Sequence, residues 1–316
     1  MKNLPPVLYA LAVLLFASTE AWCADVQTDR NAFNNGDYAA AFREWESLAE
    51  QGDAKARFLV GVMYSSGTGV PQNHKEAIKW YRLSAEQGYV LAQHALGFMY
   101  KRGQGVLQDQ KQAVDWYRLA AEQAYAPAQN NLGLMYYDGQ GVIQDYTLAR
   151  KWLQLAADQG IPEARFLLGL MHYKGQGVPC NCKEAVRWLR LSADQGLAVA
   201  QASLGLLYLK GHGVSQDYKE AFQWFNLAAD QGVPSAQVKL AMMYEYGLGV
   251  ARDYLTAYMW YRLGAAHGYK IAEERRIIIE KMMPQSQIET AQQLAREWLV
   301  KHREISITVS PPERGD

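Results

Sequence analysis

Residues 95–123 read ALGFMYKRGQGVLQDQKQAVDWYRLAAEQ. With the residues just before them, Ala92, Leu96, Met99 and Tyr100 fall at i, i+4, i+7 and i+8, which is one face of an α-helix. Gly103 follows the last periodic residue, where a glycine stops a helix by taking a left-handed backbone without a Cβ penalty. Gly105 tightens the loop, and Val106 is placed to turn back into the core. Asp109 then opens a second helix, because its carboxylate can accept hydrogen bonds from the free N–H groups of a first turn. In that helix Ala113, Trp116, Leu119 and Ala120 read as the buried face. The stretch predicts a helix–turn–helix hairpin.

The same hairpin recurs along the chain. Gly-x-Gly-Val starts at Gly67, Gly103, Gly139, Gly175, Gly211 and Gly247, a period of 36 residues, and tryptophan keeps step at Trp80, Trp116, Trp152, Trp188, Trp224 and Trp260. The capping position holds Asn73, Asp109, Asp145, Asn181, Asp217 and Asp253, with Glu76, Glu184 and Glu220 placed as in a capping box. Small residues recur inside the first helix at Gly61, Gly97, Gly133, Gly169, Gly205 and Ala241. A mid-helix glycine costs roughly 0.5–1 kcal/mol, so its repetition predicts close approach by a neighbouring helix or by the tryptophan. The tryptophans read as core packing rather than as ligand platforms. Six units, 53–88, 89–124, 125–160, 161–196, 197–232 and 233–268, each too small to bury its own apolar side, predict a stacked solenoid.

The pattern A-x-x-x-L-G-x-x-Y-x-x-G-x-G-V-x-x-D-x-x-x-A-x-x-W resembles the Sel-1-like repeat family, a relative of the tetratricopeptide repeat, over residues 53–268, about two thirds of the chain. The resemblance implies antiparallel helix pairs stacked into a right-handed superhelix that binds other proteins, and it implies no enzymatic residues. The expected fold is all-α: an α/α solenoid of six helix-turn-helix repeats with capping helices. Residues 24–52 read as an N-terminal capping half-repeat, 269–304 as C-terminal capping helices and 305–316 as a disordered tail. Glu273, Glu274, Arg275 and Arg276 fit the polar outer face that a terminal cap needs.

Residues 1–23 read as a secretory signal peptide: Lys2, an 11-residue apolar run from Val7 to Ala17, and small residues at Ala21 and Cys23. The run is shorter than the roughly 20 residues of a spanning helix, and no other segment is long and apolar enough to cross a membrane. An exported, soluble protein is expected, periplasmic or secreted. Lys+Arg and Asp+Glu number 32 each, so the balance of charge does not favour nucleic acid or an anionic membrane as partner.

Little in the sequence points to chemistry. The Gly-x-Gly loops lack the preceding strand and third glycine of a dinucleotide site, and no cofactor is expected. The six histidines are scattered, and no nucleophile–base constellation follows from spacing, so the chain reads as a non-enzyme. Arg314-Gly315-Asp316 at the tail reads as a chance match to an integrin tripeptide. Cys180 and Cys182 lie side by side in the fourth loop, and three readings stay open: a Cys-x-Cys disulfide, metal ligation with His172 nearby, or free thiols. An oxidising compartment favours the disulfide, and three or four ligands are usual for a metal, so no metal site is expected. Some secreted members of the family resembled tie the two helices of a unit with disulfides, but at a wider spacing than this.

A protein or peptide partner is expected on the exposed, concave side of the first helices, where residues change from unit to unit. One strip runs through Phe58, His94, Asn130, Phe166, Ala202 and Val238, and a second through Ser65, Lys101, Tyr137, Tyr173, Leu209 and Glu245. The partner-binding residues expected are Phe58, His94, Lys101, Asn130, Tyr137, Phe166 and Tyr173, with the two tyrosines as aromatic anchors. A third row, Val62, Phe98, Leu134, Leu170, Leu206 and Met242, is apolar in every unit and reads as inter-repeat core. The function expected is a monomeric interaction scaffold or adaptor, the alternative being recognition of a cell-wall glycan or a host protein.

Overall fold

The computed structural model describes residue 33 and residues 35–309, with side chains to residue 302; residues 1–23, expected to be a signal peptide, lie outside them. Among the described residues the chain is all helix: α1 (Tyr38–Glu50), α2 (Ala54–Ser66), α3 (His74–Ala85), α4 (Val90–Arg102), α5 (Gln110–Glu122), α6 (Ala126–Asp138), α7 (Tyr146–Asp158), α8 (Pro162–Lys174), α9 (Cys182–Ala193), α10 (Ala198–Lys210), α11 (Tyr218–Asp230), α12 (Pro234–Tyr246), α13 (Tyr254–Ala266), α14 (Lys270–Glu280) and α15 (Gln285–Val309). It forms an all-α repeat solenoid. Two compact units divide it, Met1–Ile161 and Pro162–Asp316. In the first, α1 stacks on the hairpins α2/α3, α4/α5 and α6/α7; in the second, the hairpins α8/α9, α10/α11 and α12/α13 carry α14 and α15.

The local signals act as their chemistry requires. The side chains of Asn73, Asp109, Asp145, Asn181, Asp217 and Asp253 each accept two N–H groups of the first turn of the second helix. Gly103 ends α4 in a left-handed conformation at φ 69°. The second glycine of each loop has another duty. A Cβ on Gly141 would lie 2.3 Å from the backbone oxygen of Gln110, so this loop can rest on the preceding repeat only without a side chain.

The interior glycines do admit a neighbour, but it is the residue after the tryptophan. A Cβ on Gly97 would lie 2.6 Å from the ring of Tyr117, and Gly133, Gly169 and Gly205 likewise meet Leu153, Leu189 and Phe225. These side chains fill the core of each hairpin. Trp188 and Trp260 are buried; Trp80, Trp116, Trp152 and Trp224 are half-buried at the margin of the core. Leu119, expected on the buried face, is 44% exposed, because the face centred on Ala113, Tyr117 and Ala120 turns it one step outward.

Polar side chains join one turn of the stack to the next. The amides of Gln123, Gln159 and Gln231 donate to the side-chain oxygens of Gln93, Gln129 and Gln201 at 2.7–2.8 Å. Gln93, Gln129 and Gln201 in turn donate to the carbonyls of Ala85, Ala121 and Ala193 at 3.2 Å. The guanidiniums of Arg82, Arg118 and Arg190 donate to the hydroxyls of Tyr100, Tyr136 and Tyr208 in the following repeat.

The C-terminal cap is arranged differently from the expectation. Arg275 turns inward to Glu245, which is only 5% exposed and also accepts a hydrogen bond from Tyr261 at 2.7 Å. Arg276 pairs with Glu273 at 2.7 Å and Glu280 at 2.8 Å, and reaches the Tyr258 hydroxyl. Arg275 thus ties α14 to α12 through Glu245, while Arg276 bridges Glu273 and Glu280 along α14 itself and reaches α13 only through Tyr258. α15 crosses back onto α13, setting Trp298 edge-on against Trp260 and covering Leu263 to 2% exposure. The helix runs to Val309, past Ile305, where a disordered tail was expected to begin; residues 310–316 lie outside the described residues.

Candidate functional site

The first helices α2, α4 and α6 of the first unit, and α8, α10 and α12 of the second, carry the residues expected to bind. The strip through Phe58 does not form an open surface. Phe58 is 6% exposed, packed between the rings of Tyr81 and Tyr89 at 5.6 and 5.3 Å. His94 occupies the equivalent place between Tyr117 and Tyr125, with Nε2 2.9 Å from the Asn131 amide nitrogen. Burial lowers its pKa to about 4, so the ring is neutral at pH 7. Asn130 is half-buried, and Phe166 packs on the core of the second unit. For Phe58 and His94 the reason is the same: a side chain on the first helix's second turn packs on the ring that opens the next repeat, Tyr89 or Tyr125.

The second strip divides. Glu245 is consumed by the cap. Lys101, Tyr137 and Tyr173 stay half-exposed. Tyr137 meets Tyr146 edge-on at 5.3 Å, and Tyr173 stacks on His212 at 6.1 Å with its hydroxyl 3.1 Å from Nδ1.

The third row, expected as inter-repeat core, is mixed: Val62, Leu206 and Met242 pack against the core, and Phe98 departs from the expectation. Phe98 is 42% exposed, with the Arg102 guanidinium 5.6 Å from its ring, and Val62, Leu134, Leu170, Leu206 and Met242 are half-buried. An apolar residue in every repeat is the usual mark of core, yet the row lies about 100° round the helix from the glycine that faces its own second helix. The row is therefore turned aside from that helix and is only partly covered. Each member stands three residues before a member of the second strip, on the same helical face. The candidate site is thus a pair of apolar-plus-aromatic faces. The first unit presents Val62, Phe98 and Leu134 with Lys101 and Tyr137; the second presents Leu170, Leu206 and Met242 with Tyr173 and Leu209.

Cys180 and Cys182 are separate thiols. Cys180 takes the place of Gln72, Gln108, Gln144 and Gln216, whose amides brace a carbonyl seven residues earlier, and its thiol does the same toward the Tyr173 carbonyl at 3.2 Å. Partial burial, then the neighbouring Cys180, pushes the Cys182 thiol up from its ordinary range. Among the described residues no group of three or more His, Cys, Asp or Glu side chains is placed to hold a metal ion. A cleft of about 310 Å³ opens between α13, α14 and α15, lined by Arg262, Leu263, Glu273, Arg276, Ala295 and Leu299. Its charges largely answer one another through the Arg276–Glu273 pair.

The Sel1 repeat family model matches the chain six times in succession, at residues 54–89, 90–125, 126–161, 162–197, 198–233 and 234–269. A crystal structure of a Sel1 repeat protein from Oxalobacter formigenes is 31% identical, with 75% of this chain and 95% of that one covered and a TM-score of 0.68. The protein c5321, described as a protective antigen present in uropathogenic Escherichia coli strains displaying an SLR fold, is 27% identical over 98% of this chain and 84% of its own, at a TM-score of 0.46. No curated protein matches the chain.

Proposed function

The chain belongs to the Sel1 repeat family, whose members generally mediate protein–protein interaction, and on that premise we propose that it is an exported scaffold holding a partner peptide or protein on its first-helix faces. One observation carries the reading: a row of side chains that is apolar in all six repeats and stays partly accessible, with Phe98 42% exposed. Solvent-exposed apolar side chains aligned in register are costly to keep unless something covers them.

The mechanism is rigid complementarity. Aliphatic groups of the partner would lie against Val62, Phe98 and Leu134, or against Leu170, Leu206 and Met242. Tyr137 and Tyr173 flank these rows with groups that are apolar on the ring and polar at the tip. Phe98 has the largest exposed surface of the row and is the expected anchor. The role proposed is binding, in keeping with the scaffold character of the family. Lys2, the run Val7–Ala17 and Ala21-Trp22-Cys23 support an exported protein, periplasmic or secreted. Among the described residues no helix is long and apolar enough to cross a membrane.

The test is site-specific photocrosslinking in the native envelope, with the crosslinking residue placed at Phe98 and, as a control, at Leu119 on the second helix. One protein captured through Phe98 and not through Leu119, and lost in Leu134→Asp with melting unchanged, supports the scaffold. Equal capture at both positions sinks the assignment of this face. Capture of glycan fragments or of a host protein instead would transfer the same face to the other partner classes. Fractionation of the cells that leaves the chain in the cytoplasm would end the exported reading.

A further inference from the structure

We propose that the outer side of α14 is a self-association surface, joining two copies of this chain tail to tail about a two-fold axis. In each hairpin of the array the second helix packs against its own first helix, and α14 is a first helix without that cover, since α15 crosses onto α13 instead. Where the interior repeats carry a glycine facing the second helix, α14 carries Ile277, and the row that runs through Leu206 and Met242 continues as Ile278. Ile271, Ile277, Ile278 and Met282 are all exposed, between 43% and 59%. Arg275 is turned inward to Glu245, and Arg276, 18% exposed, is neutralised by Glu273 and Glu280 of α14 itself. A terminal repeat is expected to end a solenoid with a polar side; this one ends with aliphatics outward and both arginines paired.

The occupant follows from charge and from the other end of the array. Glu274, Ile277, Ile278 and Lys281 fall at i, i+3, i+4 and i+7, on one helical face, and all four are exposed. Lys281 still has right-handed helical backbone, at φ −68°. If two copies of α14 pair antiparallel with the axis between Ile277 and Ile278, Glu274 of one copy meets Lys281 of the other, twice by symmetry, around a centre of isoleucine. The face is complementary to itself, which is what a closed two-fold interface requires. Among the described residues the N-terminal helix α1 exposes Ala39, Arg43, Glu44, Ser47 and Glu50, which offer no isoleucine centre to α14. The proposal departs from the monomer expected from sequence.

Sedimentation velocity on the full chain across the micromolar range tests the inference, with circular dichroism and melting to show that each variant is folded. The wild type is expected to dimerise and Ile277→Asp to be a monomer. Glu274→Lys is expected to weaken the dimer by about tenfold, since two symmetric pairs turn repulsive. Glu274→Lys combined with Lys281→Glu is expected to restore it. A wild type that stays monomeric, a dimer indifferent to Ile277→Asp, or a double charge swap that fails to rescue would each overturn the proposal.

Discussion

The side-chain oxygen of Gln237 is buried and meets no hydrogen-bond donor. In three other repeats the equivalent oxygen, on Gln93, Gln129 or Gln201, receives the amide of a glutamine 30 residues later. In the sixth repeat that later residue is His267, and it is exposed. His267→Gln is therefore expected to stabilise the protein by about 1 kcal/mol, by satisfying an acceptor already desolvated; chemical denaturation reads this, and an unchanged midpoint would mean that water already fills the role. His94 gives the opposite kind of residue-scale effect. Its folded pKa is about 4, depressed by burial from an ordinary 6.5. Between those values the unfolded chain takes up a proton that the folded chain refuses, so the contribution of the neutral ring is present above pH 6.5 and falls as pH drops toward 4. At pH 5 the loss is about 2 kcal/mol. His94→Asn, the residue that Asn130 supplies one repeat later, should remove this dependence. A wild-type-minus-variant stability difference that is the same at pH 7 and pH 5 would refute the assignment.

At the level of the element, one repeated leucine shows what helix periodicity does and does not encode. Leu83, Leu119, Leu155, Leu191 and Leu227 are 36–46% exposed, while Leu263 at the same repeat position is 2% exposed beneath α15. Leu119→Lys should therefore change stability by less than about 0.5 kcal/mol, and Leu263→Lys should cost about 3 kcal/mol or more. Equal costs in thermal melting would mean that α15 does not hold its place on α13. The pair also explains where the sequence was legible. Hairpins, caps and their boundaries were readable because Asp109 and Gly103 act on backbone groups within their own turn. The angle of a side chain round its helix was readable as well. What lies over that angle was not, since it is fixed by residues tens of positions away. So Leu119 was assigned inward, the strip from Phe58 to Phe166 was assigned outward, and Phe98 was given to the core. The sequence signal that distinguishes them is relative: Phe98 follows the glycine that marks contact with the second helix, and a residue one step past that contact is turned away from it.

For the molecule as a whole, the neutral charge balance and the apolar character of the first-helix faces make a joint statement about how a partner is held. The guanidinium of Arg190 donates to Tyr208, and Arg275 and Arg276 are paired within the C-terminal cap, so part of the basic charge is already used internally. Binding on Val62, Phe98 and Leu134 should then proceed by removal of apolar area from water, with a negative heat-capacity change and affinity that varies by less than about threefold between roughly 50 and 200 mM salt. A polyanion making 6–10 phosphate contacts would instead lose about 10³–10⁵ in affinity over that range. Because each repeat touches only its neighbours, Phe98→Asp should weaken the partner at least about tenfold, the loss of a central apolar anchor, without lowering the melting temperature. Calorimetric titration of the captured partner at two temperatures and two salt concentrations, on the wild type and on Phe98→Asp, with a melting curve for each protein, measures all three. A steep salt dependence with no heat-capacity change would show that charge, and not the apolar row, does the holding.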